Sequence, residues 1–324
     1  MLWKIAAFQE VSMLKIYLGD IYDSISTLVK ELYGEDVSVT RMDSVAGGDI
    51  NLAYRVRLSC GTDIFVKTNS LSNEDFFAAE AKGLAALSSV NEIGVPEILG
   101  RGSDQEKGYS FLALEYIESS PRISSYWETF GHELAMLHRA KTAAFTVAGE
   151  NSAGRDGVYG FSEDNYIGAS PQKNRPMEKW TDFYRERRLM PQLSMAERYL
   201  SPEIRKKADR LLGHLEDYMR EPKFPSLLHG DLWSGNMICG PDGKAWIIDP
   251  AVYVGDFEAD LAMTQLFGSL PERFYDAYSE VNPIDRKGYR ERKGLYDLYH
   301  MLNHLNLFGR AYLGSVVSII RQYT

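Results

Sequence analysis

The feature that most constrains this chain is the run His229-Gly230-Asp231-Leu232-Trp233-Ser234-Gly235-Asn236, followed by the apolar pair Ile247-Ile248 and then Asp249. Asp231 and Asn236 are five residues apart, so one short loop can direct both side chains into a single site. Asp249 comes thirteen residues after Asn236, at the end of a predicted strand. A carboxylate that can accept a proton, next to two oxygen ligands for a divalent cation, suits phosphoryl transfer.

The same run has the H-x-D-L-x-x-x-N spacing that is typical of the catalytic loop of kinases. It predicts Asp231 as the catalytic base and Asn236 and Asp249 as ligands of Mg²⁺ on the phosphates of ATP. A turn rich in Asp and Asn that only caps its own backbone is the alternative. The ordered set of His, Asp, Asn and a second Asp after a strand disfavours that alternative.

Composition limits the possible partners. The 324 residues suggest about two domains, and a net charge of −9 disfavours nucleic acid and anionic membranes as partners. No stretch is long and apolar enough to span a bilayer. Cys60 and Cys239 are the only cysteines, so neither a disulfide framework nor a cysteine zinc site is expected, and a reducing cytoplasm is the default location.

The chain is predicted to have an α+β, bilobal, protein-kinase-like fold. Residues 1–13 are interpreted as a leader or an added segment, residues 14–117 as a nucleotide-binding N-lobe, and residues 118–324 as a catalytic and substrate-binding C-lobe. The N-lobe is predicted to be a small five-stranded antiparallel sheet with one main helix. Its strands are Val37 to Val45, Leu52 to Leu58, Asp63 to Lys67, Pro96 to Gly102 and Tyr109 to Ile117, with an opening helix from Met13 to Leu32 and the main helix from Ser72 to Val90.

The C-lobe is predicted to be larger and mostly helical. It also contains a long polar segment from Ala143 to Arg175, and loops of that length are uncommon unless they are functional or disordered. The predicted helices are Tyr126 to Lys141, Met177 to Leu193, Glu203 to Arg220, Phe257 to Leu266, Glu272 to Ser279 and Leu295 to Tyr312.

Residues of the N-lobe are predicted to bind the nucleotide. Gly47 and Gly48 lie between two strands, where backbone can approach phosphates closely, although a plain hairpin explains them equally well. Lys67 ends an apolar strand, and Glu80 on the next helix is its predicted ion-pair partner in preference to Glu74. The remaining cofactor-binding residues are predicted at the hinge after the last strand, where backbone groups hold adenine: Glu115, Tyr116 and Ile117.

Four segments together resemble the fructosamine kinase (ketosamine 3-kinase) family, within the aminoglycoside-phosphotransferase branch of the protein-kinase-like fold. The Trp-Ser-Gly between Asp231 and Asn236 is typical of ketosamine kinases. The four segments are Gly47-Gly48-Asp49-Ile50-Asn51, Phe161 to Gly168 with Pro171-Gln172-Lys173-Asn174, His229 to Asn236, and Ile248 to Tyr253 with Gly255-Asp256 and Asp260 to Met263.

The resemblance implies a substrate. Members of this family phosphorylate the 3-hydroxyl of a sugar carried on an amine, either small or protein-bound, and the product then releases the amine. Trp233 is expected to offer an apolar face to the sugar, and Asp256 and Glu258 to attract a cationic amine. A monomer or a homodimer is compatible with the sequence. The alternatives are another small-molecule kinase of this fold, acting on an aminoglycoside, choline or an amino-alcohol, and a nucleotide-binding pseudokinase.

Two departures from the family pattern stand out. Asp49 replaces a cysteine that is common in eukaryotic members, so a redox switch is not expected there. Phe257-Glu258 stands where relatives commonly have Arg-Glu, which leaves substrate detail open. Simpler roles are predicted elsewhere: His300 and His304 as packed or surface histidines, Leu295 to Phe308 as core, and Arg185 to Arg188 as a solvated helix face, one arginine of which could reach a substrate.

Overall fold

The described part of the chain divides into two units, each formed by two segments of the sequence. The structure is a computed structural model that describes residues 21–45, 51–146 and 157–324. One unit contains the described residues up to Ala81 together with Pro96–Ile117, and the other contains Lys82–Val95 and Glu118–Thr324. The predicted leader, residues 1–13, lies outside the described residues, and so do Gly47, Gly48 and Asp49.

The first unit is a five-stranded antiparallel sheet, as predicted. Its strand order is β1-β2-β3-β5-β4. The strands are β1 (Val39–Val45), β2 (Leu52–Leu58), β3 (Asp63–Ser70), β4 (Ile98–Asp104) and β5 (Tyr109–Glu115). Helix α1, helical through residues 21–33, packs Ile21, Ile25 and Val29 against one face of this sheet. Alternation along β2 buries Tyr54, Val56 and Leu58 in the same core, as expected for a strand with one covered face.

Helix α2 (Glu74–Val90) begins two residues later than predicted. A single 3₁₀ turn, Leu71–Asn73, precedes it, and the two acids Glu74 and Asp75 occupy its first turn. Acidic residues are favourable there because the helix dipole places partial positive charge at the N-terminus.

The described residues of the second unit are mainly helical and include three two-stranded sheets. The sheets pair β6 with β7, β8 with β11 and β9 with β10. Those strands are β6 (Asn165–Ile167), β7 (Ser170–Gln172), β8 (Ser226–Leu228), β9 (Met237–Cys239), β10 (Ala245–Ile247) and β11 (Tyr253–Gly255). The helices are α3 (Tyr126–His138), α4 (Trp180–Phe183), α5 (Met190–Ala196), α6 (Pro202–Gly213), α7 (Glu258–Leu266), α8 (Glu272–Val281), α9 (Arg286–Phe308) and α10 (Leu313–Gln322).

The observed helices differ from the predicted ones in an interruption and in the bounds of the long helix α9. A π-helical turn, Tyr184–Leu189, interrupts the predicted helix from Met177 to Leu193. Helix α9 begins at Arg286 because Asp285 caps it, with the Gly288 N–H donating to Asp285 Oδ1 at 3.1 Å. Its charged first turns concealed that start, and Gly309, at φ 85°, ends it before Tyr312. Helix α10 is not among the predicted helices, although Val316 and Ile320, four residues apart, form its buried face.

The core of the second unit includes most of α9. Leu295, Leu298, Leu302 and Leu305 are fully buried, as predicted from their helical spacing. Phe308 at the end of the same helix is an exception, because half of its side chain is exposed. Within the described ranges, no helix is both long enough and apolar enough to cross a membrane.

Candidate active site

The loop from His229 to Asn236 is held in place by a buried carboxylate from α7. Asp260 accepts hydrogen bonds from the backbone N–H groups of His229, at 2.7 Å, and Gly230, at 2.8 Å. Gly230 has φ 83°, and a Cβ there would lie 2.1 Å from the carbonyl oxygen of Ala251, so only glycine fits. The contacts with Asp260 and Ala251 therefore fix the backbone at the start of the loop.

Asp260 is itself part of a buried network. His138 Nε2 lies 3.2 Å from Asp260 Oδ2, and His138 Nδ1 lies 2.8 Å from the hydroxyl of Tyr278. Burial alone would raise the pKa of Asp260, but the hydrogen bond and charge of His138 outweigh it and the net pKa is lowered. An ionised Asp260 can accept both loop N–H groups, and such charge-assisted bonds are stronger than neutral ones.

His229 orients the loop without exchanging protons with solvent. It is completely buried, and burial lowers its pKa, so the imidazole is neutral. Its Nε2 donates to the carbonyl of Ile248 at 2.9 Å, and its Nδ1 accepts from the N–H of Asp231 at 3.2 Å. The His229 ring thus connects Ile248, the residue before Asp249, to Asp231 in the loop through both of its nitrogens.

Asp231 and Asn236 lie against each other. Asn236 Nδ2 donates to the Asp231 carbonyl at 2.8 Å and to Asp231 Oδ2 at 3.1 Å. The surrounding protein desolvates the carboxyl and raises the pKa of Asp231 to about 7, the Asn236 hydrogen bond opposes this, and the charges of Asp249 and Asp260 add to it. A carboxylate with a raised pKa is a stronger base than an ordinary aspartate, which favours general-base chemistry.

Asp249 reaches the same region through a hairpin. Strands β9 and β10 pair Met237 with Ile247, and one step further the Ile248 N–H donates to the Asn236 carbonyl at 3.1 Å. Asn236 and Asp249 are therefore at the same end of this hairpin. Asp249 has φ 56°, a left-handed conformation that is uncommon outside glycine and is often found at functional sites.

Trp233 lies on the surface of its unit and not in the core. Its side chain is 37% exposed, and its ring meets Phe267 edge-on with centroids 6.0 Å apart. A Cβ on Gly235 would lie 2.4 Å from atoms of the Trp233 ring, so a glycine at 235 leaves room for the ring in this position. The glycine at 235 is therefore required for the observed position of the Trp233 ring.

The sequence interpretation missed one close neighbour of Asp231. His300 on α9 places Nδ1 4.0 Å from Asp231 Oδ1, which is too long for a hydrogen bond. Burial lowers its pKa to about 3, so it is neutral, and its buried Nδ1 has no hydrogen-bond partner among the described residues. The pair His300 and His304, at i and i+4, was the available signal, but it was interpreted as ordinary packing.

The prediction that Asp256 and Glu258 attract a cationic substrate is wrong. Both side chains are completely buried. Arg292 donates to both carboxylate oxygens of Glu258 at 2.7 Å, and Arg220 donates to Oε1 at 2.9 Å. Asp256 accepts from the Tyr296 hydroxyl at 3.0 Å. Buried carboxylates are stable only with such partners, so these two residues support the fold.

The residues predicted to bind the nucleotide that the structure describes, Lys67, Glu80, Glu115, Tyr116 and Ile117, belong to the first unit. Lys67 Nζ donates to Glu80 Oε1 at 2.6 Å, and both side chains are largely buried, so the ion pair is formed with Glu80 as predicted. Glu115 ends β5 and its carboxylate accepts from the Glu97 N–H at 3.2 Å. Tyr116 has the guanidinium of Arg55 4.3 Å above its ring, and Ile117 is buried.

The segment from Phe161 to Asn174 supports the chain next to Asp249. Asn165 Nδ2 donates to the Val252 carbonyl at 2.7 Å, and Gln172 Nε2 donates to the Ala251 carbonyl at 3.0 Å. The predicted solvated face of Arg185 to Arg188 is wrong for Arg188, which is fully buried with its guanidinium 3.9 Å from the Tyr253 ring centre. It donates to the Lys173 carbonyl and to Asn174, which fastens the same segment.

Comparison with solved structures defines the class of protein first. Macrolide 2'-phosphotransferase from Brachybacterium faecium aligns with a TM-score of 0.58 at 15% identity and covers 92% of this chain and 98% of its own. A candidate fructosamine-3-kinase from Haemophilus somnus 129PT aligns with a TM-score of 0.79 at 30% identity, with 94% and 99% covered. The fold is therefore that of the phosphotransferases related to protein kinases.

Sequence relatives then define the family. The family profile described as fructosamine kinase matches residues 21–324. A "probable ketoamine kinase" of Synechocystis is 38% identical over 310 residues, which are 93% of this chain and 96% of the relative. The chloroplastic protein-ribulosamine 3-kinase of Arabidopsis thaliana is 38% identical over 292 residues, with 90% and 84% covered. The chain belongs to the fructosamine kinase family.

Proposed function

We propose that this protein transfers a phosphoryl group from ATP to the 3-hydroxyl of the sugar of a ketosamine. The observation that carries the proposal is the hydrogen-bonded pair of Asp231 and Asn236 on a loop anchored by Asp260, with Trp233 exposed beside it. The names of the relatives, ketoamine kinase and protein-ribulosamine 3-kinase, supply the substrate class. Phosphorylation destabilises the sugar–amine link, so the product would release its amine.

Asp231 is the proposed base. Its carboxylate would orient the sugar hydroxyl and accept its proton as the oxygen attacks the phosphorus. The Asn236 hydrogen bond holds the Asp231 carboxylate in one orientation, and the neutral His229 fixes the loop beneath it. Asn236 and His229 are both buried, which supports a fixed position for the proposed base.

The residues present fit Mg²⁺. Asn236 uses Nδ2 for its two hydrogen bonds to Asp231, which leaves Oδ1 as the atom able to face a cation. Asp249 contributes an exposed carboxylate at the same end of the hairpin. Mg²⁺ is commonly held by one or two protein oxygens together with phosphate and water oxygens, and it neutralises charge on the phosphates.

Lys67 is the proposed ligand of the α and β phosphates. Its ion pair with Glu80 fixes the ammonium, and burial of both side chains restricts other conformations. Gly47 and Gly48 are proposed to bring backbone N–H groups to the phosphates, and the backbone at Glu115, Tyr116 and Ile117 to bind adenine.

The test is a panel of acceptors with ATP and Mg²⁺, scored for release of ADP. Ribulose-, erythrulose- and fructose-amines should be phosphorylated, and 3-phosphate products should be detected by NMR. Phosphorylation of an aminoglycoside or choline, with every ketosamine ignored, would instead support the alternative small-molecule kinase. Nucleotide binding without turnover of any acceptor would support a pseudokinase.

Replacing Trp233 by alanine is expected to damage acceptor use more than the fold. The loss of one aromatic contact with the sugar should lower kcat/KM for a ketosamine roughly 10- to 100-fold, which is about 1–3 kcal/mol. Because the ring is partly exposed, the melting temperature should change little. The slow hydrolysis of ATP without acceptor should be retained, and Trp233→Phe should restore part of the activity. A uniformly crippled or unfolded variant would show that Trp233 serves only packing.

A further inference from the structure

A run of aromatic rings, exposed at Trp233, Phe267 and Phe308 and half-buried at His304 and Tyr312, leads away from the proposed base. Trp233 meets Phe267, whose ring centre is 4.8 Å from that of His304. His304 lies 5.4 Å from Phe308 and 5.1 Å from Tyr312. Phe267 is 38% exposed and Phe308 is 50% exposed. We call these five residues the aromatic strip. Single exposed apolar residues are ordinary on protein surfaces, but contiguous ones mark interaction sites.

Helix α9 connects this strip to the base. His300, His304 and Phe308 follow one another at i, i+4 and i+8, so they share one face of the helix. His300 lies 4.0 Å from Asp231, and eight residues further Phe308 lies about 12 Å along the helix axis. The His304 Nδ1–H donates to the His300 carbonyl at 2.8 Å, which fixes the ring between its aromatic neighbours.

The chemistry of the proposed substrate assigns an occupant to the strip. In a ketosamine the amine nitrogen is attached to carbon 1, so only carbons 1 and 2 separate it from the carbon that bears the 3-hydroxyl. With that hydroxyl at Asp231, the amine lies only a few bonds from the loop, where Trp233, two residues after Asp231, is an exposed aromatic ring. Aromatic faces attract the charge of a secondary ammonium, and the rings beyond it offer apolar surface to the carrier.

We propose that the aromatic strip binds the carrier of the amine, so the protein prefers ketosamines on lysine side chains flanked by aromatic residues. This inference rests on the proposed function. It adds a preference for the residues that flank the modified lysine, which the proposed base and metal ligands do not determine. The carrier makes the same contacts before and during phosphoryl transfer, so the preference should appear in KM and not in kcat.

Two peptides that react identically at the sugar test the proposal. Both carry ribulose on the lysine ε-amine, and their sequences are acetyl-Phe-Lys-Phe-amide and acetyl-Gly-Lys-Gly-amide. Wild-type protein should favour the Phe peptide by roughly tenfold in kcat/KM, in the range measured for a hydrophobic pocket. Phe308→Ala and Phe267→Ala should each bring the ratio of the two kcat/KM values towards one, through KM.

Met136→Ala is the matched control, because Met136 is an equally exposed apolar residue, at 44%, on α3 outside the strip. It should keep the wild-type ratio. Equal use of both peptides by the wild type, or a ratio unchanged in both Phe variants, would overturn the role of the strip while leaving ketosamine phosphorylation intact. Failure to phosphorylate either peptide while small ketosamines are still phosphorylated would overturn this inference alone. Failure to phosphorylate any ketosamine would overturn the proposed function as well. A dimer that dissociates in Phe308→Ala with an unchanged ratio would assign the strip to a second copy of the chain.

Discussion

Replacing Asp231 by asparagine is expected to lower kcat by about 10² to 10⁴, the usual contribution of a positioned general base. Asparagine keeps the shape of the side chain but cannot accept the proton of the sugar hydroxyl. The decrease should appear in single-turnover experiments with saturating ATP and ketosamine, because those report the transfer step itself. Binding of ATP, measured by calorimetry, should remain close to that of the wild type.

The stability of this variant provides the control. The pKa of Asp231 is raised to about 7 in the folded protein, from an ordinary value of 3.8. Its charged form is therefore disfavoured by folding, and the wild type loses stability as the pH rises from about 4 through 7. The asparagine variant avoids that loss, so its melting temperature above pH 7 should equal or exceed that of the wild type. Turnover within a few-fold of the wild type would remove Asp231 from the role of base.

Replacing Asp249 is expected to have an effect of similar or larger size. A bound metal ion contributes several kcal/mol to the transition state, so its loss should lower Mg²⁺-dependent turnover about 10³-fold or more. Asp249→Gly is preferable to Asp249→Ala, because Asp249 has φ 56°, and glycine removes the carboxylate while adopting that conformation without strain. Turnover should be measured across a range of Mg²⁺ concentrations. Asn236→Ala should raise the Mg²⁺ concentration required.

Asp242 is a matched control on the same hairpin. It is exposed, and its Oδ1 accepts from the Lys244 N–H at 3.1 Å, a bond that an asparagine amide oxygen can also accept. Asp242→Asn should therefore keep normal turnover and Mg²⁺ dependence. If Asp249→Gly still turns over at ordinary Mg²⁺ concentrations, Asp249 is not a metal ligand and the proposed cation site is wrong.

The predictions that succeeded came from local sequence pattern. The strand-like segments between Val37 and Ile117 indicated a five-stranded antiparallel sheet, which the structure confirms. Lys67 and Glu80 form their predicted pair because a lysine near the end of a strand and a glutamate on the following helix are close in this topology. Motif spacing works here because the groups concerned lie on short, continuous segments.

The predictions that failed concerned burial and contacts between distant segments. Asp256 and Glu258 are polar and close to the motif in sequence, but pairing with Arg292, from a helix more than thirty residues away, places Glu258 inside the protein. Arg188 seemed to belong to a charged surface, yet the π-helical turn directs it against Tyr253. The sequence does not show whether a charged side chain will be solvated or will be buried against a residue from a distant segment.

The sequence by itself determined the five-stranded sheet, because each strand depends on a pattern over a few consecutive residues, and the family, because four segments of the chain resemble it. It also indicated the proposed catalytic residues of the loop from His229 to Asn236, which are close together in sequence. Only the tertiary structure decided that Asp260 anchors this loop, that His300 lies against Asp231, and that an aromatic strip continues outward from Trp233. These relationships join residues thirty to seventy positions apart. They arise from the packing of α7 and α9, which no local pattern in the chain specifies.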